Sequence, residues 1–302
     1  MQEFIHFATL ADLLRFFGSG PHQHPLVAVL DFSQVEQPPQ QSVKLSADFY
    51  SIMFKTYPSN HIRYGRKLID FQDGCLISMG PNQVIEMDIP EEMSDDLGGW
   101  GLYIHPDLIR GTSLHTRMQD FHFFSYEVSE ALHLSEKEKS ILLGCLGTIQ
   151  AELQENIDGH SQPILIAAIE LFLQYCDRFY GRQFITRQTS HHGVVIQIDK
   201  ILSTYFKQTA IRETGLPTVK YLAEVVHLSP SYLSDLLKKE TGKNAQDHIH
   251  YHLIEAAKTI LLSTEKSVSE IAYSLGFEYP QYFNKLFKQK TGRTPVEFRN
   301  LN

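Results

Sequence analysis

The feature that most constrains this chain is a repeat near its C-terminal end. Pro230-Ser-Tyr-Leu-Ser-Asp-Leu-Leu-Lys-Lys-Glu-Thr-Gly242 returns fifty positions later as Pro280-Gln-Tyr-Phe-Asn-Lys-Leu-Phe-Lys-Gln-Lys-Thr-Gly292, with six of thirteen pairs identical. Upstream the match continues at an offset of forty-nine: Val219/Val268, Leu222/Ile271, Ala223/Ala272 and Val226/Leu275. Apolar character is kept at Leu233/Phe283, Leu236/Leu286 and Leu237/Phe287. A sequence that preserves its apolar positions twice builds the same supersecondary unit twice.

A 3.6-residue wheel says which unit. Leu233, Leu236 and Leu237 fall on one side of a helix, with Ser231, Ser234, Asp235 and Lys238 opposite. The second copy places Phe283, Leu286 and Phe287 against Gln281, Asn284, Lys285 and Lys288. A short helix precedes each, with Leu222-Ala223 or Ile271-Ala272 as its contact pair, and the small Ala allows close approach. His227-Leu228 and Gly276-Phe277 make the intervening turns. Ser267-Val-Ser-Glu270 has capping-box spacing and starts a helix at Val268. Helix, turn and second helix form an arrangement whose second helix can enter the DNA major groove. Between the copies, Gln246–Leu262 carries an apolar stripe at Ile249, Leu253, Ala257 and Ile260 or Leu261. Such a helix can act as a spacer that sets two recognition helices one turn of DNA apart, about 34 Å.

Charge is divided accordingly. The net −8 of the 302 residues splits into −11 over 1–192, from 13 basic and 24 acidic side chains, and +3 over 193–302, from 14 and 11. The mildly basic tail is where phosphates would be met. Three scattered cysteines, Cys75, Cys145 and Cys176, suit thiols in a reducing cytoplasm. No run of about 18 apolar residues predicts a membrane span, and the start, Met-Gln-Glu-Phe-Ile-His, does not have the pattern of a signal peptide. The expected location is the cytoplasm.

The first two thirds read differently. Residues 1–17, with Leu10, Leu13, Leu14, Phe16 and Phe17, read as holding a short helix that Gly18-Ser-Gly-Pro21 ends. From 26 to 105 the signals are β: Leu26–Phe32, Phe49–Thr56, Leu68–Phe71, Cys75–Met79, Gln83–Met87 and Gly99–His105, with turns at Asp73-Gly74 and Gly80-Pro81-Asn82. Short strands at close spacing suggest a small barrel or double sheet, and such barrels often enclose a ligand cavity. Candidate wall residues are Tyr50, Ile52, Phe54, Arg63, Tyr64 and Trp100. His22-Gln-His24 lacks the carboxylate and later His of a metal set, so no metal or other cofactor is expected. After 106 the period becomes helical. Pro106–Leu114 is short; Ser135-Glu-Lys-Glu138 caps a helix Glu136–Asn156, and Pro163–Tyr180 is a second. Their wide apolar faces need partners, and a homodimer interface is one expectation.

The tail resembles the DNA-binding domain of AraC/XylS-family transcription regulators. The likeness lies in Ile271-Ala-Tyr-Ser-Leu-Gly276-Phe277, Tyr282-Phe-Asn-Lys-Leu-Phe287-Lys288 and Thr291-Gly-Arg-Thr-Pro295-Val-Glu-Phe-Arg299. It covers roughly 194–300, and the preceding part is similar in layout to the family's cupin-like effector domains. The resemblance implies an α+β chain of two domains. Residues 1–182 would be a cupin-like domain, with a barrel at about 20–105 and helices at about 106–182. A linker at 183–193 would lead to an all-α double helix-turn-helix domain at 194–302. It implies a non-enzymatic, sequence-specific regulator of promoter DNA, under a small-molecule effector, contacting RNA polymerase if it activates. Base reading would fall to Ser231, Ser234 and Asp235, then Gln281, Asn284 and Lys285. Lys238, Lys243, Lys288 and Arg293 are the phosphate candidates. Asp235 departs from the basic or amide residue often found there; an acid in the groove suits only a cytosine amino group. Two other readings stay open: a cupin-type enzyme with a DNA-binding tail, and a regulator whose N-terminal domain only dimerises or binds protein.

Overall fold

A computed structural model describes residues 3–19, 24–35, 43–56, 63–64, 67–68, 74–88, 98–127, 130–156, 158–186, 188–206 and 215–300. The chain separates into two units, Met1–Thr186 and Arg187–Asn302.

In the first unit the strands are β1 (Glu3–Phe7), β2 (Val27–Asp31), β3 (Val43–Ala47), β4 (Tyr50–Thr56), β5 (Arg63–Tyr64), β6 (Lys67–Leu68), β7 (Cys75–Met79), β8 (Ile85–Asp88), β9 (Gly98–Ile104) and β10 (Leu132–His133). They form two five-stranded sheets, ordered β1-β3-β8-β5-β6 and β10-β7-β4-β9-β2. Neither sheet closes on itself among the described strands, so the structure is a pair of open sheets where a barrel was expected. The alternation of β4 explains the layering. Met53 faces a core between the sheets with Phe7, Leu30, Phe49, Ile77 and Tyr103. Tyr50, Ile52 and Phe54 face the other way. Tyr50 stacks obliquely on Phe124 at 4.8 Å, and Phe54 on Trp100 at 5.8 Å. Gly99, at φ +120°, has to be glycine, because a Cβ would sit 2.1 Å from the Phe54 carbonyl oxygen across the β4–β9 ladder.

Helix α1 (Leu10–Phe16) is where the sequence places it, but residues 3–7 form a strand that pairs in parallel with β3. Pro106–Leu114 divides into α2 (Pro106–Ile109) and α3 (Ser113–Arg117). α4 (Glu136–Gln154) starts at the Ser135–Glu138 capping box, and α5 (Ser161–Thr186) runs alongside it. Arg182 on α5 donates to Glu138 at 2.8 and 3.0 Å, tying the two helices at the cap. Phe172 of α5 meets Trp100 edge-on at 5.8 Å, so α5 closes the outer face of the second sheet. Cys75, Cys145 and Cys176 are buried free thiols, and burial pushes the Cys145 and Cys176 thiols up.

The second unit is helical: α6 (Gln188–Tyr205), α7 (Val219–Val226), α8 (Pro230–Thr241), α9 (Ala245–Ser263), α10 (Val268–Ser274), α11 (Pro280–Thr291) and α12 (Pro295–Arg299). The stretch 183–193, expected as linker, is helical on both sides of residue 187. Gln183, at the start of that stretch, is buried and bonded to the backbone of Ala131 and His133. The core is contributed by α6 (Ile198, Leu202), α7 (Leu222, Ala223), α8 (Leu233, Leu236, Leu237), α9 (Ile249, Leu253, Ala257, Leu261) and the second copy (Ile271, Ala272, Phe283, Phe287).

Candidate nucleic-acid interface

Each repeat folds by the same local devices. The first turn of α7 is capped by Thr218 and that of α10 by the Ser267–Glu270 capping box. The turn between the paired helices needs a left-handed residue. His227 supplies it at φ 57° and Gly276 at φ 86°, positions related by the forty-nine-residue offset. Glycine takes that conformation without steric cost, whereas His227 does so against it.

The second helices of the two units, α8 and α11, stop alike. Gly242 (φ 75°) and Gly292 (φ 78°) donate their N–H to Lys238 and Lys288 carbonyls. The preceding threonine acts as a clasp. Thr241 Oγ1 donates to the Leu237 carbonyl at 2.8 Å and accepts from Lys243 N at 3.2 Å. Thr291 Oγ1 does the same with Phe287 at 2.8 Å and Arg293 N at 3.3 Å. The repeat therefore extends past its glycine: Asn244 and Thr294 both cap the next helix, and Asp247 and Glu297 occupy its third position. Glu297 closes a capping box, and the Thr294 backbone N–H holds its carboxyl below the usual range. Asp247 instead pairs with Lys290 at 2.9 Å, and that ammonium lowers its pKa.

The two outward faces differ. On α11 the side chains of Gln281, Asn284, Lys285 and Lys288 are exposed, over the buried Phe283 and Phe287. On α8 Ser231, Ser234 and Asp235 are half-buried, and of that face only Lys238 is exposed. Leu286, expected in the core beside its counterpart Leu236, is half-buried as well. Lys243 and Arg293 are exposed at equivalent positions after the glycines, although the Lys243 ammonium lies 5.0 Å from the Tyr251 ring centre. The spacer α9 has 19 residues, about 28 Å at ~1.5 Å per residue.

A polar link that the sequence did not announce joins α6 to α9. Asp199 Oδ1 lies 3.4 Å from His248 Nδ1 and 3.2 Å from His252 Nε2, and His248 Nε2 lies 2.9 Å from the Thr241 hydroxyl. Burial lowers the His248 pKa and Asp199 works against that. The i, i+4 spacing of the two histidines was visible, but their partner lies 49 residues away from His248.

In the first unit, Phe54 and Trp100 line a cleft of about 230 Å³ with Glu136, Lys139, Ser140 and Leu143. Ile52 is fully buried and Tyr50 half-buried. The Arg63 and Tyr64 side chains and His22 lie outside the described residues. His24 Nδ1 accepts the Leu26 N–H at 3.1 Å. No group of three or more His, Cys, Asp or Glu that could hold a metal ion is found among the described residues.

The C-terminal unit thus holds two helix-turn-helix units on one spacer helix. Residues 222–301 match the family model described as a helix-turn-helix domain. Among curated proteins, the uncharacterized HTH-type transcriptional regulator YijO of Escherichia coli K12 is 28% identical over 160 residues, 53% of this chain and 52% of that protein. The bifunctional transcriptional activator/DNA repair enzyme AdaA of Bacillus subtilis is 36% identical over 85 residues, 28% of this chain and 40% of its own. The chain thus spans about half the length, or less, of these relatives. The C-terminal domain of the two-component response regulator yesN from Fusobacterium nucleatum is 33% identical, covering 35% of this chain and 98% of that one at a TM-score of 0.31.

Proposed function

We propose that this chain is a sequence-specific, DNA-binding transcription regulator of the AraC family, with control exerted at its N-terminal unit. The observation that carries the reading is the exposed Gln281, Asn284 and Lys285 on a helix anchored by Phe283 and Phe287. Gln and Asn suit adenine edges and Lys suits guanine O6/N7. Lys238, Lys243, Lys288 and Arg293 would meet phosphates. The half-burial of Ser231, Ser234 and Asp235 supports a lesser share of base reading for the first unit. Promoter DNA is the partner, and RNA polymerase a second one if the regulator activates.

The test begins with DNA selected by the full chain from a random pool. Lys285→Ala is expected to relax preference at one base position of the second half-site, by about 1–3 kcal/mol. A uniform loss over all sequences would reassign Lys285 to a phosphate.

For the N-terminal unit we infer a cupin-like arrangement of the two sheets and a small-molecule effector held near Phe54 and Trp100. The supporting feature is the aromatic cleft with Lys139 at its edge, its ammonium 5.8 Å from the Phe54 ring centre. The apolar filling between the sheets favours a second reading, in which this unit only dimerises. Leu143 on α4 and Ile164 and Leu171 on α5 are 51%, 43% and 52% exposed, which suits a homodimer face on these helices. Sedimentation of the full chain, which should give a dimer at micromolar concentration, checks that assignment; a monomer removes it.

A further inference from the structure

The two copies share a tyrosine that they treat in opposite ways. Tyr232 is 3% exposed and its counterpart Tyr282 is 60% exposed. The residues three positions earlier differ in the same sense, Ser229 at 3% and Tyr279 at 48%. In the first copy α6 packs against α8 and Tyr232 belongs to the core. In the second, the Tyr282 and Tyr279 rings rest edge to face on each other at 5.9 Å and present most of their outer surface to solvent. Exposing two large rings beside each other lacks a folding benefit, because burial is what an aromatic contributes to stability. On the wheel Tyr282 is displaced by 100° from Gln281 and sits one turn before Lys285. It therefore borders the reading face on one side while Phe283 faces the core. A helix in a groove points the middle of its outer face at the bases and its flank at the groove wall, which is sugar and phosphate.

From this geometry, and resting on the DNA-binding reading above, we propose that Tyr282, backed by Tyr279, is a backbone contact of the second half-site. The ring packs on a deoxyribose and the phenol hydroxyl donates to a phosphate oxygen. The neighbouring Lys285 and Lys288 make the same surface positive, which fits a polyanion better than an apolar protein groove.

The test uses the full chain and DNA that it selects from a random pool. Tyr282→Ala should weaken binding about ten-fold, equally over all single-base variants of the selected site, and Tyr282→Phe about three-fold. Thermal unfolding should be unchanged, since the side chain lies outside the core. The salt slope should stay at the parent value, because a neutral hydroxyl releases no counterion, while Lys288→Ala should reduce it by about 1. Binding by Tyr282→Ala and Tyr279→Ala at parent strength overturns the proposal and leaves the pair to a protein partner. Loss confined to one base pair also overturns it, in favour of base reading. If the parent enriches no sequence, the DNA-binding reading itself fails and this proposal fails with it.

Discussion

Phe287→Ala is expected to remove the second reading unit from use. Phe287 is fully buried, and its ring lies 5.7 Å from Phe283 and 5.6 Å from Phe298. It therefore joins α11 to α12 as well as to its own core. Truncating a buried aromatic to alanine costs about 3–5 kcal/mol, through lost transfer energy and the cavity left behind. Small domains have about 5–15 kcal/mol in total. The expected result is a large fall in thermal midpoint and loss of footprint protection over the second half-site. A variant that melts with the parent and protects both half-sites would mean that α11 is not held by this contact.

Ionic strength should act almost as strongly. Lys238, Lys243, Lys288 and Arg293 are all exposed and stand at paired places in the two copies. Four phosphate contacts give a slope of about −3.6 in log affinity against log salt, so raising salt from ~50 to ~200 mM should weaken binding about 150-fold. Arg293→Ala should make the slope shallower by about 1. A slope near zero would contradict the phosphate assignments as a group. The chain as a whole carries −8, so the acidic surplus of residues 1–192 should oppose non-specific binding.

The helices of both units were legible because their signals are local. The caps at Ser135 and Ser267, the turn at Gly276 and the Thr-Gly stops are set by residues within five positions of each other, and the structure forms all of them. Burial depends on what arrives from elsewhere. Tyr232 and Tyr282 are the same residue in the same motif, yet the first is buried and the second exposed, and α6 packs on the helix that carries the buried one. Half-burial of Ser231 and Ser234 is equally beyond a helical wheel, which assigns direction and not cover. On β4 the period-2 pattern gave two faces without naming the one that meets helices. Tyr50, Ile52 and Phe54 take that face, and Met53 takes the space between the sheets. β1 and β3 were not anticipated because each is short and pairs with a segment about 40 residues away.

The spacer helix has a consequence for how this chain can vary. Each added residue in an α-helix turns everything beyond it by 100° and advances it by about 1.5 Å. α9 carries α10 and α11 at its far end, so one residue inserted in it would swing Gln281, Asn284 and Lys285 around the helix axis by more than a quarter turn. Two full turns, about seven residues, would restore the phase but add roughly 11 Å of length. Neither matches the pitch of a rigid duplex. Along α9 the residue types are free to drift wherever the apolar stripe survives, while on the proposed DNA-binding reading its residue count is set by the helical repeat of the duplex.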